Sequence, residues 1–375
     1  QPSHDGSYRV VVTDTTGSTT SLVAQVMVRA WPQPTGPRIA ELDRLDTNVQ
    51  NVLQQYGIPG GSLAVVKDGR LVLARGYGWA DVESSEPFQP DSLCRIDSLS
   101  KTITAATLLK LVEEGTVALE VPAFGLLNLD LPSYPGAVFD TRLTNITVRQ
   151  LLNHTAGWNR ETATNPLGGT GFDPVRWPQR VAEDLGLTTP PTPTDLVHWM
   201  LGKPLQTKPG TQSSYSNVGY VVAGRIIEKL CGQPYETAVK ELLAQAGITR
   251  IQLAARARSD RVTGEVVYYL HPSVVTGSEP FLGMNLKWYE PKPLNVDLPY
   301  AFPATLADAA WGFIASAIDY ARFLAAVDGL PTFPDILGTD TVKTMTSGSL
   351  GWDSVDGTNP STGIWYKGGS DYGAN

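Results

Sequence analysis

From Ile39 to Tyr56 apolar residues recur at helical spacing, at Ile39, Leu42, Leu45, Val49, Val52 and Leu53, which predicts an amphipathic helix ended by Gly57-Ile58-Pro59-Gly60-Gly61. The apolar runs Ser62–Val66 and Leu71–Gly78 flank Lys67-Asp68-Gly69-Arg70. Asp-Gly between two such runs predicts a tight antiparallel hairpin, so a sheet begins here. After Ser98-Leu99-Ser100-Lys101, the residues Ala105, Leu108, Leu109 and Val112 form an apolar stripe on one helix face, with Gly115 as the stop. From about Asn128 to Pro303 proline, glycine and loop signals dominate, with helical stretches at Val218–Leu230 and Tyr235–Gln245. That stretch reads as a mostly helical inserted region. Ala309–Val327 returns to helical periodicity, and Ile364-Trp365-Tyr366 reads as a strand. The fold class expected is α/β (α+β), an antiparallel sheet flanked by helices.

Ahead of this lie two β-rich runs, residues 7–14 and 20–28, joined by Thr15-Thr16-Gly17-Ser18 and predicting a hairpin. With Asp5-Gly6-Ser7-Tyr8 before the first strand, they resemble the last two strands of an immunoglobulin-like domain, a short N-terminal β remnant. Trp31-Pro32-Gln33-Pro34-Thr35-Gly36-Pro37 follows. Three prolines and a glycine in seven residues make a semi-rigid linker, because proline fixes φ and cannot extend a ladder. The expected organisation is residues 1–30 as the β remnant, 31–38 as linker and 39–375 as the main domain. The chain starts in a strand-like pattern and stops soon after Lys367, so both ends are expected to be cut.

Composition narrows the function classes. Over 375 residues, 42% are hydrophobic and 18% charged, ordinary globular usage rather than that of a disordered chain. A net charge of −8 argues against a footprint for nucleic acid or anionic lipid and suits small neutral or cationic substrates. No window approaches the roughly 20 apolar residues of a membrane-spanning helix. Cys94 and Cys231 match no metal spacing and read as buried small hydrophobes rather than a bridge. Neither a metal nor another cofactor is signalled.

The candidate chemistry starts at Ser98, placed at a helix start with Lys101 one turn later on the same face, so that the amine can reach the hydroxyl. A lysine base must be neutral, which burial, a neighbouring cation and the positive end of a helix all favour. A serine at a helix start is, taken singly, usually just a cap. Tyr215-Ser216-Asn217 stands in a turn-rich approach to the helix near Val218, where a phenol can relay a proton and an amide can both donate and accept. Lys367-Gly368-Gly369-Ser370 follows the Ile364–Tyr366 strand. Its glycine pair lets a substrate approach the backbone, and an N–H there can form half of an oxyanion hole.

Ser-x-x-Lys and Tyr-x-Asn each occur once in the chain, and the order Ser98, Tyr215, Lys367 is specific where each motif singly is not. Together they resemble the penicillin-recognising serine hydrolases, the family of class C β-lactamases, D-alanyl-D-alanine carboxypeptidases, D-aminopeptidases and related esterases. Gly57-Ile58-Pro59-Gly60, Val65-Val66-Lys67-Asp68-Gly69, Leu151–Gly157 and Trp311–Asp319 resemble that family's recurrent segments, so the likeness runs from about Ile39 onward. The resemblance implies a β-lactamase/transpeptidase-like fold and an acyl-enzyme on Ser98, with Lys101 and Tyr215 moving the proton. It further implies that Asn217 and Lys367 orient the substrate, with Gly368 and Gly369 at its edge, and that the N–H groups of Ser98 and Ser370 form the oxyanion hole. The partner expected is a small ester, peptide or β-lactam, and an exported, periplasmic or extracellular location is expected. Lys-Gly-Gly in place of Lys-Thr-Gly removes a hydroxyl that meets substrate carboxylates, which argues against a β-lactam specialist. The alternative is a non-catalytic or acylation-only sensor attached to an adhesion-type module. Oligomeric state stays open.

His154 reads as a loop stabiliser rather than the base, and His198, His271 and His4 as structural, exposed or outside the domain. Among Trp158, Trp177, Trp288 and Tyr289, only Trp158 is favoured as a substrate contact, since it follows His154-Thr155-Ala156-Gly157. The loop-like segment from Asn159 to Pro193 is a candidate lid.

Overall fold

In the computed structural model, the residues described are 6–22, 24–26, 30–166, 168–254, 258–269 and 305–370. His4, His271, Trp288 and Tyr289 lie outside them. The amino-terminal ribbon contains β1 (Gly6–Tyr8), β2 (Val11–Asp14), β3 (Gly17–Thr20) and β4 (Ala24–Val26). β2 pairs with β3 through a two-residue turn that leaves Asp14 opposite Gly17, and β1 pairs with β4. Asp14 tightens that turn by accepting from the N–H groups of Thr16 and Gly17. The hairpin expected from the sequence is present, shifted because these bonds close the turn on Thr15-Thr16.

Helix α1 (Asp43–Gln55) leads into the antiparallel sheet β5 (Gly60–Lys67), β6 (Arg70–Asp81) and β7 (Glu86–Pro87). Asp68 and Gly69 at the β5–β6 turn both have positive φ, 51° and 69°, the backbone that a two-residue hairpin turn demands. Arg75 and Tyr77 of β6 tie α1 to the sheet by hydrogen bonds to Asp46. β8 (Cys94–Arg95) then runs into a short 3₁₀ turn, Asp97–Leu99, and helix α2 (Ser100–Glu113).

Every residue of α2 from Ser100 to Leu109 is buried. The apolar stripe read from the sequence is therefore only part of its surface, because α2 is wrapped on several sides. Its polar side chains are satisfied internally: Thr104 Oγ1 donates to Ala309 O at 2.6 Å and meets the Tyr235 hydroxyl at 2.7 Å. Around it stand α3 (Ala123–Leu127), α4 (Val148–Leu152), α5 (Pro178–Leu185), α6 (Pro193–Met200), α7 (Asn217–Cys231) and α8 (Tyr235–Ala244); of the inserted region expected from about Asn128 to Pro303, residues 270–303 lie outside the described residues.

Helical periodicity at Ala309–Val327 gives way in the structure to three pieces. These are α9 (Asp308–Trp311), β10 (Phe313–Ala315) and α10 (Ala317–Ala325). β10 lies between β8 and β9 (Gln252–Leu253), fully buried, so its apolar run answers a sheet interior rather than a helix face. Ser316 then restarts the helix as a cap, accepting from Asp319 N–H at 3.0 Å. Helix α11 (Thr339–Ser347) precedes the hairpin of β11 (Ser354–Asp356) and β12 (Ile364–Tyr366). Cys94 and Cys231 are free thiols, each partly buried and packed against a hydrophobic cluster, as small hydrophobes rather than a bridge.

Candidate active site

Ser98 sits in the 3₁₀ turn that opens α2, and the residue before it, Asp97, is buried with φ 45°. A non-glycine residue held in the left-handed region is costly and persists only where packing enforces it. Here it turns the chain sharply from β8 into α2 and leaves Ser98 half-buried at the helix mouth.

Lys101 is completely buried, and its Nζ lies 3.1 Å from Ser98 Oγ, 2.7 Å from Asn217 Oδ1 and 2.7 Å from Ala310 O. Burial above all, reinforced by the positive charge of Lys367, pushes its pKa well below the usual lysine range; Asp173 and Asp353 pull the other way and Arg160 adds to the depression. A neutral amine has two N–H bonds and one lone pair. The two carbonyl oxygens can only accept, so they take both N–H bonds and the lone pair is left facing Ser98 Oγ.

Tyr215 approaches from the loop before α7, with its hydroxyl 2.5 Å from Ser98 Oγ. Burial raises its pKa above the usual phenol range, so it carries a proton at neutral pH. Its ring faces Lys101 at 4.7 Å, Arg160 at 4.7 Å and Lys367 at 5.6 Å. His154, in the left-handed region at φ 61°, stacks on Tyr215 at 4.6 Å and accepts at Nδ1 from Ser216 N–H at 3.1 Å. Burial first, then the charges of Lys101, Lys367 and Arg160, hold it neutral. This places His154 as a support for the Tyr215 loop, in keeping with the sequence reading.

Asn217 opens α7 behind the cap of Ser216, whose side chain accepts from Gly219 N–H. Its side chain is buried, with Oδ1 on Lys101 and Nδ2 donating to Asp173 Oδ2 at 2.6 Å. Burial raises the Asp173 pKa, while Arg176, Asn217 and Arg160 oppose that rise.

On the opposite side, the β12 edge brings Lys367 to Tyr215. The Lys367 side chain is 2% exposed and forms an ion pair with Asp353, which also accepts from Gly368 N–H at 2.9 Å. Burial lowers the Lys367 pKa and Asp353 partly restores it. Gly369 lies against the Ser98 backbone: a Cβ there would meet Ile96 O at 2.5 Å and Ser98 N at 3.1 Å. Ser370 is exposed at the end of this edge.

The model of the family described as beta-lactamase matches residues 45–375. The chain belongs to the beta-lactamase family. Protein flp of Staphylococcus aureus (strain NCTC 8325 / PS 47) is 31% identical over 198 residues, which are 51% of this chain and 34% of flp. Esterase EstB of Burkholderia gladioli is 29% identical over 205 residues, 54% of this chain and 48% of EstB. The chain thus spans between a third and a half of the curated relatives it matches. The structure of D-amino acid amidase from Ochrobactrum anthropi SV3 with D-phenylalanine superposes at a TM-score of 0.58 and 23% identity, covering 84% of this chain and 76% of the amidase, a likeness of fold.

Within this beta-lactamase fold a cavity of about 210 Å³ adjoins the Ser98, Lys101 and Tyr215 cluster on the Asn217 side. Trp158, Arg160, Phe172, Asp173, Met200 and Asn217 are among its lining residues. Gly157, at φ 105°, delivers Trp158 to it, and its carbonyl accepts from the N–H groups of Gln206 and Thr207. Trp158 Nε1 is buried and without a hydrogen-bond partner. Within the Asn159–Pro193 segment, residues between Asn159 and Pro174 line this cavity, and the segment goes on into α5, which packs Val181 and Ala182 into the core. Trp177 is buried at the start of α5, beside Phe172, and does not line the cavity. Asp173, Arg160 and Asp353 were not singled out from the sequence. Asp173-Pro174 at a 3₁₀ start and Asp353 just before a strand are the only local signals they carry.

Proposed function

We propose that this beta-lactamase-family chain is a serine hydrolase that cleaves esters of uncharged acyl groups through an acyl-enzyme on Ser98. The observation that carries the reading is a fully buried Lys101, its pKa pushed well below the usual lysine range, with Nζ 3.1 Å from Ser98 Oγ while the Tyr215 hydroxyl lies 2.5 Å from the same oxygen. Lys101 takes the Ser98 proton as Oγ attacks the carbonyl carbon. The oxyanion is met by the N–H groups of Ser98 and Ser370, each contributing about 3 kcal/mol in sites of this kind. Tyr215 gives its proton to the leaving oxygen and regains one from Lys101 as the C–O bond breaks. Water, deprotonated by the same pair, then attacks the acyl-enzyme and restores Ser98.

Ester rather than carboxylate-bearing substrate is favoured by the Lys367 edge. Its charge is already met by Asp353, and Gly368 supplies no hydroxyl. The name of EstB and that of the amidase bracket the choice between ester and D-amino-acid amide. The cavity beside Asn217 would hold the acyl chain, with Trp158 as its substrate contact. The ribbon of residues 6–26 is read as a separate β module preceding the 31–38 linker, and the whole as an exported protein.

The test is a side-by-side assay of p-nitrophenyl esters of increasing acyl length, nitrocefin and D-alanyl p-nitroanilide. The expected result is steady ester turnover with the highest kcat/KM. Higher kcat/KM on nitrocefin or the anilide, or a single burst with no turnover, would overturn the ester assignment.

A further inference from the structure

Asn217 sits between a base and a carboxylate. An ionised carboxylate only accepts, so Asp173 requires the Asn217 amide to turn its NH₂ toward it, at 2.6 Å. The carbonyl end must then face Lys101, at 2.7 Å. Were the amide reversed, its NH₂ would point at Lys101 Nζ. The amine would then accept from Asn217, and its lone pair would no longer be free for Ser98. Ala310 O leaves no alternative, because it too can only accept. Asp173 is held in place by its position before the Pro174–Arg176 3₁₀ turn, by Arg160 at 3.9 Å and by the charge of Arg176.

We propose that Asp173 is a positioning residue that, by locking the orientation of the Asn217 amide, aims the Lys101 lone pair at Ser98. This rests on the hydrolase reading above. Asp173 hydrogen-bonds to neither Ser98 nor Lys101; its charge raises the Lys101 pKa directly, but its control of direction passes through the Asn217 side chain. Because Asp173 also lines the cavity beside Asn217, a group bound there touches the residue that sets the base.

The experiment measures kcat and KM for a p-nitrophenyl ester with the full chain, in Asp173→Ala and Asp173→Asn, each alone and combined with Asn217→Ala. Asp173→Ala is expected to lower kcat on the order of tenfold to a hundredfold with KM within about twofold, the scale of a misaimed catalytic group. Asp173→Asn keeps an acceptor without forbidding the reversed amide pair, so its kcat is expected between those of Asp173→Ala and the wild type. In the Asn217→Ala background neither substitution should lower kcat further, since there is no amide left to orient. An unchanged kcat in Asp173→Ala, or an equal loss with and without Asn217, overturns the proposal. If Asp173→Ala does not fold, Asp173→Asn in the same cycle decides by the same criterion. Failure of the hydrolase reading looks different: wild-type protein would then not react at Ser98 with a fluorophosphonate.

Discussion

Gly369→Ala perturbs the backbone that faces Ser98, the proposed nucleophile, without touching any proposed proton-transfer group. A Cβ at this position would lie 2.5 Å from Ile96 O, 2.5 Å from Leu99 Cδ1 and 3.1 Å from Ser98 N. Ile96 O is backbone just after β8, accepts from Leu99 N–H at 3.0 Å and cannot swing aside. Ordinary contact lies roughly 1 Å further out, so the β12 edge must retreat by about that much. Ser370, next along this edge, is the proposed second oxyanion donor. Displacing a reacting geometry by about 1 Å costs on the order of a hundredfold, and losing one oxyanion donor costs about a hundred- to a thousandfold. The expected result is a fall of about a hundredfold or more in kcat on p-nitrophenyl acetate. The acid limb of the pH–rate profile should move, if at all, toward higher pH, because Lys367, whose charge lowers the Lys101 pKa, retreats with the same edge. Thermal unfolding measured in parallel separates this from a loss of fold. A kcat within about threefold of wild type, in a folded variant, would refute the placement of the β12 edge against Ser98.

Lys367→Met should move the acid limb of kcat/KM to higher pH. Lys367 depresses the Lys101 pKa, as does Arg160, whereas Asp353 and Asp173 raise it. Removing the cation also leaves Asp353 uncompensated, so both changes make Lys101 hold its proton longer; a limb that stays put or moves to lower pH would contradict this. Asp140, whose carboxyl is held at about 2 chiefly by hydrogen bonds from Arg142, ties the Thr141–Asn145 turn to Leu205 N–H. Its folded pKa lies below the unfolded value, so its contribution is present above about pH 4 and is lost as pH falls toward 2. Asp140→Asn should cost about 1–2 kcal/mol at pH 7, reduced from the full linkage value because Arg142 is 43% exposed. Denaturant midpoints should converge near pH 2, and a pH-independent gap would count against the pairing.

That Ser98, Lys101, Tyr215 and Lys367 come together was legible in the sequence because each belongs to a short motif whose local backbone is part of its proposed chemistry. The helix start puts Lys101 one turn from Ser98, and the strand before Lys367 puts its glycines at an edge. Asp173, Arg160 and Asp353 reach the site only through tertiary packing. Asp173 is 44 residues from the Asn217 amide it binds, with no periodicity linking the two. The stretch after Ala309 misled for another reason. Phe313-Ile314-Ala315 fits a helix stripe and a buried strand equally, and burial on both faces, which a single sequence does not display, decides for the strand. The amino-terminal turn is two residues shorter than expected because Asp14 accepts from the Thr16 and Gly17 N–H groups and closes it on Thr15-Thr16.

The central claim is that Ser98 is the nucleophile and Lys101 its base. It is tested most directly by treating the protein with a fluorophosphonate near neutral pH and mapping the adduct by peptide mass spectrometry. The arrangement predicts a stoichiometric adduct on Ser98, abolished in Ser98→Ala and strongly slowed in Lys101→Met. An adduct on another residue, or labelling of Ser98 at an undiminished rate without Lys101, would contradict it.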